Sequence, residues 1–302
     1  MAKSVLSRYL NPEALSRTVQ RRIAPRGLVL GNLAGAHASP LGGFAVDFVG
    51  HRQYVWGDDP KHIDWGVFFR RDKLFVKQYE METNFVCHLM LDTSASMRYG
   101  SGDQQKLLYA SRLATTLAYC IIRQSDKVAL ATFDDAVRGS LPPSNSPAQV
   151  VRITEHLDTV EPRHPTRLAE CVGQLVERTG RREIVMILSD FLGDLEALEP
   201  VLQRMRYQRH EVMLFQVMHH DELAFEFDRM TKFVGLEVAA SRFADPHVVR
   251  QTYLKALERH TAKFDDICQR NRVERMLVDT SRDMVDVMIE YLNQRGRLNR
   301  GR

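Results

Sequence analysis

The sequence predicts an α/β fold: a mostly parallel sheet with helices on both faces, plus a small N-terminal accessory module. Three observations predict it. Short apolar runs end abruptly at polar loops, as in Phe85-Val86-Cys87-His88-Leu89-Met90 and Glu183-Ile184-Val185-Met186-Ile187-Leu188. Such unbroken hydrophobicity suits strands buried on both faces. Between these runs lie stretches of helical period, such as Leu107, Leu108, Leu113, Leu117 and Ile121. From residue 85 onward the two patterns alternate, which favours parallel strands joined by helical crossovers.

In chain order, residues 1–40 read as a helical and loop lead-in. Pro12-Glu13-Ala14-Leu15 opens a helix after Asn11, Val19 and Ile23 continue its apolar face, and Gly31 and Gly35 break regular structure. Residues 41–82 form a β-rich accessory segment, with turns at Gly50 and Gly57-Asp58-Asp59-Pro60 and a strand over 74–79. The main domain covers 83–296. Its strands are predicted at 85–91, 127–133, 183–189, 211–218 and 274–279, with 137–141 pairing back before the Pro142-Pro143 turn. Its helices are predicted over about 104–124, 146–158, 167–179, 194–209 and 283–295. Residues 221–245 read as a polar interruption, a hairpin laid over the sheet edge, and 297–302 as a basic tail.

Composition narrows the function classes. With 44% hydrophobic and 26% charged residues the chain can bury a substantial core. No apolar run approaches the roughly 18–20 residues of a membrane-spanning helix, and the N-terminus lacks a signal-peptide core. Cys87, Cys120, Cys171 and Cys268 are widely spaced, in apolar or helical segments, so buried thiols in a reducing cytoplasm are expected. The net charge is +4, with the excess at the ends: Lys3, Arg8, Arg17, Arg21, Arg22 and Arg26, then Arg295, Arg297, Arg300 and Arg302. No aromatic residues are interleaved with the terminal arginines to stack bases, so these read as solvated arms rather than a nucleic-acid surface.

The chemistry concentrates where the first apolar run ends, at Leu91-Asp92-Thr93-Ser94-Ala95-Ser96-Met97. An acid and two hydroxyls at i, i+2 and i+4 can turn oxygens toward one point. Loops at strand carboxyl ends are where open α/β sheets bind ligands. Asp with two Ser carries too little charge to satisfy a divalent cation alone, which suits Mg²⁺ because that ion retains several waters. Alone, the motif reads more readily as a capped helix start than as a metal site. Two further segments favour the metal. Ser189-Asp190 closes a second apolar run, and Arg163-His164-Pro165-Thr166-Arg167 places a Thr in a loop before a helix.

Together, Asp92, Ser94, Ser96, Thr166 and Asp190 resemble the metal ion-dependent adhesion site of von Willebrand factor A-like domains. The resemblance implies a Rossmann-like sheet. It also implies Mg²⁺ or Mn²⁺ held directly by Ser94 and Ser96, by Thr166 directly or through water, and by Asp92 and Asp190 through water. In that family a small residue commonly precedes the Thr and an Asp follows it, where this chain has Pro165 and Arg167. Turned inward, Arg167 would oppose the cation; turned outward, it and His164 would border the open coordination face and grip a partner's carboxylate.

A second block comprises Arg52, Tyr54, Gly57-Asp58-Asp59-Pro60, Asp64-Trp65 and Arg70. Gly-Asp-Asp-Pro makes a turn whose carboxylates bind backbone donors or arginines, with Tyr54 and Trp65 anchoring it to a core. The block resembles the signature of domain of unknown function 58, whose members are typically encoded beside MoxR-type AAA+ ATPases. The resemblance implies a non-enzymatic, metal-dependent adaptor that works with such an ATPase on a client protein. A hydrolase using the Asp58–Asp64 acids beside the metal is the alternative. The chain has no GxxxxGK[ST] and no GxSxG, which disfavours nucleotide hydrolysis and a serine hydrolase. His219 and His220 point to opposite sides of a strand and read as a surface pair rather than a zinc site.

Overall fold

The computed structural model describes residues 2–10, 15–17, 23, 34–39, 47–56, 58, 60, 63–83, 85–237 and 240–300. The chain divides into two compact units, Gly27–Phe85 and the remainder, Met1–Arg26 with Val86–Arg302.

The larger unit begins with helix α1 (Ala2–Tyr9). Arg8 pairs with Asp158 at 2.9 Å, and Arg112 donates to the Arg8 carbonyl at 2.8 Å, fixing this helix to two others of the unit. The lead-in helix predicted from Pro12 lies largely outside the described residues, as do Arg21, Arg22 and Arg26. In the smaller unit, β1 (Ala34–Ser39), β2 (Asp47–Gln53) and β3 (Phe75–Thr83) form an antiparallel sheet in the order β1-β3-β2. A short helix, α2 (Trp65–Arg71), precedes β3 in sequence.

The main sheet comprises β4 (Val86–Asp92), β5 (Lys127–Phe133), β6 (Val137–Ser144), β7 (Ile184–Ser189), β8 (Glu211–Met218) and β11 (Glu274–Asp279). Its order is β11-β8-β7-β4-β5-β6, parallel throughout except for β6, which runs antiparallel on β5. Every residue of β7 is buried, as the unbroken apolar run requires. Alternate side chains pass to opposite faces. Met90, Val185, Ile187, Val212 and Leu214 join one core with helices α5 (Leu168–Glu177), α6 (Leu195–Tyr207) and α8 (Pro246–Asn271). Helix α3 (Lys106–Arg123) packs on β4, β5, β7 and β8, and also contacts α4 (Ala148–Asp158) and α9 (Met284–Arg300).

The hairpin read within 221–245 is present, but the helices on either side of it were not read. The 221–245 interruption contains a short helix, α7 (His220–Ala224), and a two-stranded ribbon, β9 (Thr231–Val234) with β10 (Ser241–Ala244). The 26-residue helix α8 follows it, starting on an Asp245 cap with Pro246 in its first turn. Arg295 also differs from its reading as part of a solvated basic end. It is 1% exposed on the inner face of α9 and pairs with Glu211 at 2.6 Å, because the helix runs on to Arg300 and turns this position into the core. Arg302 lies outside the described residues. No helix among the described residues is long and apolar enough to cross a membrane.

Candidate functional site

Strand order places the site. From β4 the chain crosses to β5 on one side, and later returns to β7 on the other, so the carboxyl ends of β4 and β7 flank a topological switch point. Asp92 ends β4, and Asp190 follows the last residue of the adjacent β7. Thr93 turns its hydroxyl and amide onto the Phe133 carbonyl at the end of β5, at 2.9 and 2.7 Å. That anchor commits Thr93 to the sheet and turns the loop outward at Ser94, which opens a 3-10 turn over Ala95–Arg98.

The loops converge on Asp92, which is fully buried. Its Oδ1 accepts from the Ser94 amide at 2.8 Å. Its Oδ2 accepts from the Ser189 hydroxyl at 2.6 Å and the Thr166 hydroxyl at 3.3 Å. The Ser94 and Ser96 hydroxyls are 3.1 Å apart, and the Ala95 amide donates to the His164 carbonyl at 2.7 Å, joining the Thr loop to the Asp-Ser loop. Asp190 accepts from the Leu192 amide at 3.2 Å on Oδ1 and from Lys106 Nζ at 2.8 Å on Oδ2. Ser96 and Thr166 are partly exposed at the mouth, whereas Asp92, Ser94 and Asp190 lie beneath.

Burial dominates the electrostatics of this cluster. Burial first, and then the nearby Asp190 charge, push the Asp92 carboxyl from 3.8 up to about 6; the Ser189 hydroxyl and Ser94 amide work the other way. Two buried carboxylates and three hydroxyls supply hard oxygen donors with residual negative charge, which fits a small hydrated divalent ion. Among the described residues, no group of three His, Cys, Asp or Glu is arranged to hold a metal, so a zinc- or iron-type centre has no support. Arg167 is exposed and 3.5 Å from Glu170, so its charge faces outward, away from the carboxylates. His164 is also exposed and contributes its backbone to the site.

Lys106 and its partner Glu222 were missed by the sequence reading, and His219 was misread. Lys106 is 0% exposed and bridges Asp190 and Glu222, at 2.8 and 3.0 Å. Burial opposes its charge, but the two carboxylates more than offset this and raise its pKa. A signal existed: Lys106 shares the apolar stripe of α3 with Ala110, Leu113 and Leu117, an unusual place for an ammonium. His219 is buried rather than superficial. It caps α7 by accepting from the Asp221 amide at 3.2 Å and meets the Tyr99 ring edge-on at 5.0 Å. Its neighbour His220 is exposed and pairs with Asp279 at 2.9 Å. Beside them Gly100 has φ +92°, and a Cβ there would meet His219 at 2.7 Å and the Gln104 carbonyl at 2.9 Å. Gly100→Ala is therefore expected to cost about 1–3 kcal/mol, read as a lower urea midpoint at unchanged slope.

The second sequence block lies in the smaller unit. Asp58 pairs with Arg52 at 2.8 Å and accepts from the Val55 amide at 2.9 Å; the Arg52 hydrogen bond, then that amide, hold its carboxyl below the usual range. Asp64 caps α2 through the Val67 amide at 3.2 Å and meets His51 at 2.8 Å. Arg70 donates to the Gly66 carbonyl at 3.1 Å. Trp65 does not anchor a core: it is 53% exposed, because α2 is two turns long and directs Val67 and Phe68 inward instead. Tyr54 is partly buried and its amide bonds the Leu74 carbonyl at 3.0 Å. Gly57 and Asp59 lie outside the described residues.

Residues 50–263 match the model of the family described as protein of unknown function DUF58. Uncharacterized proteins of Mycobacterium tuberculosis and Mycobacterium bovis are 24% identical over 277 residues, covering 88% of this chain and 85% of theirs. Among solved structures, the conserved hypothetical protein BatB from Bacteroides thetaiotaomicron aligns over 71% of this chain and 100% of its own, at 13% identity and a TM-score of 0.46. An aerotolerance-related membrane protein from Bacteroides fragilis aligns over 70% of this chain and 100% of its own, at 15% identity and a TM-score of 0.48.

Proposed function

This chain belongs to the DUF58 family, and from that premise we propose that it is a metal-dependent protein-interaction adaptor built on a von Willebrand A-like domain. The observation that carries the reading is the convergence on Asp92. Hydroxyls or amides from Ser94, Thr166 and Ser189 reach one buried carboxylate whose charge burial disfavours. Ser94, Ser96 and Thr166 would hold Mg²⁺ or Mn²⁺, and Asp92 and Asp190 would act through water, since their oxygens are already engaged by protein donors. The bound ion would supply an electrophilic position for an incoming carboxylate. The protein's own part is to hold the hydroxyls in place, orient the buried carboxylates toward the ion's waters, and present His164 and the outward Arg167 at the rim.

A Glu or Asp of the partner would complete the coordination, and the partner class we propose is a MoxR-type AAA+ ATPase, the pair acting together on a client protein. The four cysteines are buried free thiols, which supports a reducing, cytoplasmic setting. The adaptor reading is favoured over a hydrolase because Asp58 and Asp64 are each committed to local partners. Co-purification of such an ATPase in about 5 mM Mg²⁺ tests it: capture is expected to be lost in excess EDTA and restored by added Mg²⁺. Equal capture with and without EDTA would overturn the metal bridge.

A further inference from the structure

Lys106 is the one basic side chain, among the described residues, that forms an ion pair with a carboxylate of the site. It is fully buried, and its ammonium lies between Asp190 Oδ2 and Glu222 Oε1. Asp190 Oδ1 is taken by the Leu192 amide, so both oxygens of Asp190 are satisfied by the protein itself. Asp92, by contrast, is surrounded by hydroxyls and an amide and has no ion-pair partner among the described residues. The two carboxylates are therefore unequal: one has an internal cation and the other does not.

An ammonium on a carboxylate does two things to a neighbouring cation site. It removes one negative charge from the field, and it competes for the oxygen that a metal or its water would use. The Lys106 tether has a second end. Glu222 also closes the start of α7, its Oε2 accepting from the His219 amide at 2.9 Å. Lys106 thus remains paired if Asp190 is drawn away, which makes its release from Asp190 less costly than stranding a buried charge.

We infer that Lys106 sets the cation affinity of the site by competing internally for Asp190, keeping divalent-ion binding weak and reversible in the free protein. The inference rests on the metal-bridge reading, and the experiment separates the two. Mg²⁺ and Mn²⁺ would be titrated calorimetrically into the full chain, as wild type, Lys106→Met, Asp92→Asn and the double variant. Lys106→Met is expected to bind at least roughly tenfold more tightly than wild type, and Asp92→Asn is expected to abolish that gain in the double variant. Binding by wild type with Lys106→Met no tighter would overturn this inference alone. Binding by neither would overturn the metal reading and this inference with it.

Lys106→Met strands two carboxylates and could fail to fold in metal-free buffer. In that event Mg²⁺ is expected to restore its far-UV circular dichroism, and to raise its Tm more than that of wild type. A Lys106→Met chain that remains unfolded in saturating Mg²⁺ would overturn the inference.

Discussion

Asp92→Asn is expected to abolish metal-dependent partner capture while making the metal-free fold more stable. The first effect follows from the position of Asp92 under the hydroxyls, where outer-sphere acids commonly carry a roughly 10- to 100-fold share of metal affinity. The second follows from linkage. The folded carboxyl titrates at about 6 against 3.8 for the free group. An acid raised on folding opposes folding when ionised. Its penalty is full above about pH 6 and is relieved as pH falls toward about 4. That penalty is on the order of 1–3 kcal/mol. Asn keeps an acceptor for the Ser94 amide, and the Ser189 and Thr166 hydroxyls can rotate to accept from its NH₂. Urea unfolding in EDTA at about pH 8 and pH 5 should show the variant more stable at the higher pH, with the gap closing at the lower. A variant less stable than wild type at pH 8 would mean that Asp92 is neutralised by something else.

Phe264→Ala is expected to cost about 3–5 kcal/mol, the range for deleting a fully buried ring. Phe264 is 0% exposed, lies 5.0 Å from the Phe191 ring centroid, and carries the Arg275 guanidinium 5.2 Å above its own. The substitution should reach the site as well. Phe191 directly follows Asp190 in a left-handed backbone conformation, φ 53°, that a non-glycine residue holds only when its surroundings compel it. Phe264 and the His260 ring, 2.7 Å from the Phe191 carbonyl, are part of that compulsion. Loss of stability in urea should therefore be accompanied by weaker Mg²⁺ binding. A loss under about 1 kcal/mol would place α8 outside the cooperative core.

The parts legible in the sequence share one property: a pattern repeated over several residues. Strands β4, β7 and β8 are apolar on both faces and end at polar loops, so both their existence and their carboxyl ends could be read. Asp92 and Asp190 sit at those ends, whereas grouping them with Ser94, Ser96 and Thr166 rested on the resemblance to von Willebrand A-like domains. Features carried by single residues were not legible. Helix α8 buries Pro246 and then nothing until Phe264, Ile267, Cys268 and Asn271, so most of its length shows no apolar stripe, although Asp245-Pro246 is a fair start signal. The two turns of α2 hid inside a block read as extended pieces. Lys106 stands on the apolar stripe of α3, but its role was not legible, because its carboxylate partners stand 84 and 116 residues away. His219 was misread because strand alternation stops where the α7 cap begins.

The antiparallel strand β6 has a consequence for self-association. It closes one side of the six-stranded sheet and carries Pro142 and Pro143, which offer no N–H to a newcomer. An open ladder edge is a template for another copy of the chain, and proline there is among the ways proteins blunt it. Fibre-like growth through the β6 side is thereby discouraged, leaving β11, with Glu274, Arg275 and Asp279 along it, as the other edge at which strands could be added.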